Sequence, residues 1–95
     1  MDTLTRQTLK EWYKQYNAEY FGGRLPFCTL NVKSCKSYLG ICYPKKRTIS
    51  ISTFYKRDER GYRETLIHEM IHLWNYLYDS KYIGHGKPFK LKAAE

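Results

Sequence analysis

Between residues 5 and 20 the apolar side chains Leu9, Trp12, Tyr13, Tyr16 and Tyr20 recur at helical spacing, while Lys10, Glu11, Lys14 and Gln15 take the other side. This period predicts an amphipathic helix with one face on a core. Gly22, Gly23 and Pro26 end it, and the pattern then drops to period two. Leu30 and Val32 share parity with Cys28, and Ile49 and Ile51 alternate with Thr48, Ser50 and Ser52. CTLNVKS and RTISIST therefore read as half-buried strands, with YLGICYP a shorter strand between them. Pro44, followed by Lys45, Lys46 and Arg47, suits a hairpin tip. The connections are too short for a crossover helix, which predicts a small antiparallel sheet.

A second helix is expected from Glu59 or Tyr62 to Tyr78. Leu66, Met70, Leu73, Trp74 and Leu77 form one flank, with Ile67 and Ile71 beside them. An apolar arc this wide belongs to a helix deep in the fold. Its narrow remaining face carries Glu64, Thr65, His68, His72, Asn75 and Asp79, and no lysine or arginine occurs from residue 64 to residue 80. A solvated face in so basic a chain would be expected to carry some, so this one should border a cleft. The segment KYIGHGKPF then turns through Gly84 and Gly86, and Pro88 opens a short terminal helix. The expected class is α+β: an N-terminal helix, a short antiparallel-rich three-stranded sheet, a central helix and a short C-terminal helix in one domain over residues 1–95.

Composition narrows the partners. Ninety-five residues suffice for one core, and 42% hydrophobic content is ample to build it. No run is long enough for a membrane span and MDTLTRQTLKEW has no apolar signal stretch, so a cytoplasmic chain is expected. Three cysteines, Cys28, Cys35 and Cys42, do not make a disulfide framework; they fit small hydrophobes in a reducing compartment. The net charge of +8 favours polyanionic partners or acidic substrates, with solubility as the plain alternative.

The chemistry concentrates in HEMIH, residues 68–72. Histidines four apart on a helix sit one turn above each other, so His68 and His72 can aim at one ion. Glu69 lies at the edge of that face, where a carboxylate acts as general base toward a metal-activated water. Neutral imidazoles suit zinc, one per chain, with three protein ligands and a place left for water. The third ligand chosen is His85, which two glycines flank; Asp79 is a weaker candidate, and Glu64 is placed one turn before His68 to support a histidine from behind. A structural role for either histidine alone is the simpler reading. Jointly, the spacing, the glutamate, the face without lysine or arginine and the glycine-flanked third histidine favour a metal site.

NAEYFGGRLP at the end of the first helix, ETLIHEMIH in the second and GHGKPF beyond it, in this order across residues 9–89, resemble the SprT-like family of zinc metalloprotease domains, which includes bacterial SprT proteins and the eukaryotic protease Spartan. The resemblance implies zinc on His68, His72 and His85, Glu69 as the catalytic residue, and a small zincin-type fold with a helix pair on a short sheet. It also implies a protein substrate, with single-stranded DNA or DNA–protein complexes as partners, since Spartan-like relatives cleave proteins crosslinked to DNA. Many members continue into a zinc ribbon; this chain ends at Glu95 without one, so DNA contacts would fall to the basic surface.

The residues singled out for that surface are Lys45, Lys46, Arg47, Lys56 and Arg57, joined by Lys33, Lys36, Arg60 and Arg63 and interleaved with Tyr38, Tyr43 and Tyr55. A solvated sheet edge and hairpin tip would look the same. The leading expectation is a monomeric zinc endopeptidase whose extended substrate lies along a sheet edge formed by residues 48–54. The alternative is a zinc-stabilised DNA-binding or adaptor module without turnover, for which Glu69→Gln would change nothing while His72→Ala would lower stability.

Overall fold

A computed structural model describes residues 3–78 of the chain. The expected C-terminal helix, Asp79 and His85 lie outside the described residues. Within them the order is α1 (Arg6–Tyr20), β1 (Thr29–Lys33), β2 (Gly40–Tyr43), a 3-10 turn (Pro44–Lys46), β3 (Thr48–Ser52) and α2 (Glu59–Tyr78), an α+β arrangement. Among the described residues no helix is long and apolar enough to cross a membrane.

Helix α1 starts where Thr5, in extended backbone, accepts the Thr8 N–H at 3.1 Å through its hydroxyl. It buries Leu9, Trp12, Tyr13 and Tyr16, the face its period predicts. Its end is a built device. The N–H groups of Phe21 and Gly23 both donate to the Asn17 carbonyl, at 3.1 and 2.8 Å, and Gly22 and Gly23 take φ of 62° and 72° to allow it. The Asn17 amide then bridges both backbone groups of Leu25, donating to its carbonyl at 2.9 Å and accepting its N–H at 3.0 Å. NAEYFGGRLP is thus a stop-and-return motif that delivers the chain to β1.

The three strands run in the order β1-β3-β2. β2 and β3 form the expected antiparallel hairpin, closed by the 3-10 turn with Arg47 in the left-handed region at φ 49°. β1 and β3, however, pair in parallel, Leu30 beside Ile49 and Val32 beside Ile51. This corrects the expectation of an antiparallel sheet. A crossover helix is indeed absent from the stretch between them, but β2 itself is the return: the 34–39 loop skips one sheet position, and the hairpin lays β3 into the gap.

That placement buries β3 on both faces, where a half-buried strand was expected. Ser50 and Ser52 are buried with Ile49 and Ile51. Ser52, 1% exposed, is a hub: its hydroxyl donates to the Cys35 carbonyl at 2.6 Å and accepts the N–H groups of Cys35 and Phe54, each at 3.1 Å. The loop it anchors covers the second face of the sheet. Cys35, in that loop, is half-exposed, and its thiol is held below its ordinary range chiefly by the Ser37 backbone N–H. Cys28 and Cys42 fit the small-hydrophobe expectation, packing in or against the core with burial pushing both thiols up to about 12.

Helix α2 begins at Glu59 because the Asp58 carboxylate accepts the Gly61 N–H at 2.8 Å. Tyr62, Leu66, Met70, Ile71 and Leu73 are buried, so the helix does lie deep in the fold. Arg63, a candidate nucleic-acid contact on sequence, instead ties the two helices together. Its guanidinium sits 4.6 Å from the Trp12 ring, donates to the Tyr16 hydroxyl at 2.7 Å and pairs with Glu59 at 2.9 Å.

Candidate metal centre

One turn of α2 separates His68 from His72, and their Nε2 atoms stand 3.1 Å apart with the rings edge to face at 4.6 Å. Two nitrogens held 2.0–2.1 Å from one tetrahedral ion would lie about 3.3 Å apart. The pair therefore fits two positions of a single metal shell, with His68 half-buried and His72 exposed. Among the described residues no three or more His, Cys, Asp and Glu side chains gather into a metal-binding group. The third ligand chosen on sequence, His85, is outside them, as is Asp79.

Glu69 stands at the edge of the histidine-bearing face, buried to 7% exposure in the seam where α2 meets β2. Burial pushes its carboxyl up from the ordinary 4.5 to about 7, with desolvation as the cause. A proton acceptor at that value is matched to work near neutral pH. Glu69 and His68 line a cleft of about 370 Å³ with Leu39, Gly40, Glu64 and Thr65. The inference from the helix face without lysine or arginine, that it borders a cleft, is met by this hollow. Glu64 is on the cleft's exposed rim, pairing with Arg60 at 3.3 Å.

Three further contributors shape the cleft, of which the sequence reading places Thr65 on the cleft face, assigns Arg57 to nucleic acid and passes over Gly40. Thr65, one turn before Glu69, is buried and donates to the Gly61 carbonyl at 3.0 Å while accepting from the Arg57 guanidinium. Arg57, one of the candidate nucleic-acid contacts, is thus held against the helix. Gly40 opposes Thr65 and Glu69 from β2. An isolated glycine inside a strand pattern was the available sign of a close backbone approach there.

The sheet edge expected to take substrate is also displaced. Residues 48–54 contain β3, which is paired on both sides, so it offers no edge; among the described residues the strand bordering the cleft with a free side is β2. Lys45, Lys46 and Arg47 are exposed on the hairpin turn. Lys45 and Lys46 line a second hollow of about 340 Å³ with Cys42, Tyr43, Pro44 and Tyr76. Tyr76 is eleven residues along α2 from the Thr65 that Arg57 meets (76 minus 65), about 16 Å at helical rise, so the basic candidates form two groups at opposite ends of the helix.

Comparison with known proteins agrees with this architecture. No curated protein matches the sequence. Among solved structures, the metallopeptidase zymogen of Methanocaldococcus jannaschii, jannalysin, superposes with a TM-score of 0.64 at 17% identity, over 88% of this chain and 76% of that one, which shows a shared fold. The SprT-like family pattern matches residues 9–95, from the first buried leucine of α1 through HEMIH and beyond. The chain therefore belongs to the SprT-like family.

Proposed function

We propose that this chain is a zinc-dependent endopeptidase of SprT type. The observation that carries the reading is the convergence of the His68 and His72 Nε2 atoms, 3.1 Å apart, beside a buried Glu69 whose carboxyl sits near 7. His68, His72 and His85 hold the ion. When bound, zinc supplies Lewis acidity toward a water and the scissile carbonyl. Glu69 takes the proton of the attacking water and returns it to the departing amine, so no covalent enzyme intermediate is needed. Its burial makes the carboxylate a stronger base toward the water proton, and the departing amine, more basic still, then receives it.

The substrate is a protein segment in extended conformation. It adds as a further strand on β2, Gly40–Tyr43, which is the outer strand of the sheet among the described residues and whose first residue borders the cleft. The decisive experiment pairs zinc quantification with a cleavage assay on wild type and Glu69→Gln. About one zinc per chain in both, with cleavage lost only in the variant, is the expected result. A variant that cleaves as well as wild type sinks the reading and leaves a zinc-stabilised module.

DNA-associated proteins are the proposed targets. Lys36 stands 5.5 Å over the Phe54 ring, Phe54 meets Tyr55 edge to face at 5.0 Å, and both rings are exposed beside Lys56, a set suited to stacking unpaired bases under phosphate-binding lysines. Affinity for single-stranded DNA should then fall steeply between low and physiological salt; a flat dependence rules this mode out.

A further inference from the structure

Gly40 opens β2 at the point where that strand crosses α2. A Cβ built on it would lie 2.6 Å from Thr65 Cγ2, 3.2 Å from Ile51 Cδ1 and 3.4 Å from Glu69 Cγ. The three contacts differ in kind. Ile51 Cδ1 is the end of a flexible side chain and can give way. Thr65 Cγ2 cannot, because the threonine hydroxyl is fixed twice, donating to the Gly61 carbonyl at 3.0 Å and accepting from Arg57. A β-branched side chain with its hydroxyl so tied has one rotamer open to it. Arg57 reaches Thr65 by lying flat on Gly61, where a Cβ would stand 2.9 Å from Arg57 Nε. Thr65 is thus backed by an arginine that the bare Gly61 admits, and the third neighbour of the Gly40 position is Glu69 itself.

We infer that Gly40 is a positioning residue, whose bare Cα sets the separation between the edge strand and the turn of α2 from Thr65 to Glu69, and so the place of the Glu69 carboxylate relative to a substrate on that strand. The inference rests on the hydrolase reading and adds to it a residue with no reactive group. Its backbone does not take a positive φ, so glycine is required here for space and not for conformation. A methyl at this site pushes the strand and the helix apart at the catalytic turn, while His72, one turn further on, stays outside the contact. Misplacement of a reacting group by about 1 Å is worth up to about 100-fold in rate.

The test is a double-mutant cycle on the zinc-loaded chain with Gly40→Ala, Thr65→Ser and the combination, since serine keeps the hydroxyl and deletes the obstructing methyl. Gly40→Ala should lower kcat by about tenfold or more in the wild-type background with zinc content unchanged, and by less than about threefold in the Thr65→Ser background. An equal loss in both backgrounds, or no loss in wild type, overturns the inference. Folding of Gly40→Ala only when combined with Thr65→Ser supports it; folding in neither background overturns it. Thermal midpoints of the four proteins form a second cycle independent of turnover. If wild type takes up zinc yet cleaves no peptide, the hydrolase reading falls, and the midpoints still judge the Gly40–Thr65 contact.

Discussion

Glu69 shows how one residue can be legible in identity while its burial is not. HEMIH marks it as the candidate general base, but the burial that raises its carboxyl to about 7 comes with packing against β2, 26–29 residues earlier in the chain. The consequence for stability has a definite sign. In metal-free protein the folded carboxyl holds its proton to about pH 7 and the unfolded one only to about 4.5, so folding weakens as pH rises through that window. Glu69→Gln should therefore stabilise the metal-free chain by about 2 kcal/mol above pH 7 and by nothing below 4.5. Denaturant melts across the range check this, and a gain independent of pH would contradict it. Ser52 is the opposite case, a residue with no functional signal and a large structural role. Ser52→Ala removes the acceptor of the part-buried Cys35 and Phe54 N–H groups and the donor to the Cys35 carbonyl, and should cost about 1 kcal/mol, read as a lower denaturation midpoint with zinc uptake retained.

At the scale of elements, the helices follow from local pattern and the sheet does not. Helix α1 is specified by its cap at Thr5, its apolar face and its glycine stop, all within twenty residues of one another. The two kinds of glycine make separable predictions. A Cβ at Gly23 meets nothing within 4 Å, so Gly23→Ala carries only the cost of left-handed backbone, about 1 kcal/mol or roughly 5 °C in Tm, and should leave any cleavage activity intact. Gly40 needs space instead, and its replacement should register in turnover. In the sheet, the alternation of Ile49 and Ile51 with serines suggests a strand wet on one side, and β3 is dry on both. Period two reports which residues share a face; it does not report whether a loop will cover the other.

For the whole molecule the question is what holds 95 residues together around a site that needs parts from several elements. If zinc joins His68, His72 and His85, it cross-links α2 to the segment beyond it, and chelation should lower Tm reversibly. A thousandfold excess of zinc over Kd corresponds to about 4 kcal/mol of stabilisation, to be measured by thermal melts with and without chelator; His72→Ala should abolish the difference. The net charge of +8 is likewise divided, with the Lys45–Arg47 turn at one end of α2 and Arg57 at the other. The family, the two helices and the histidine–glutamate motif could all be read without coordinates, because each is written in spacings of a few residues, and short-range backbone geometry turns such spacings directly into faces. Strand order, the parallel pairing of β1 with β3, the burial of Glu69 and the fit of Gly40 against Thr65 were decided only in three dimensions. They depend on which distant segments meet, and a hydrophobic pattern is the same whichever neighbour ends up beside it.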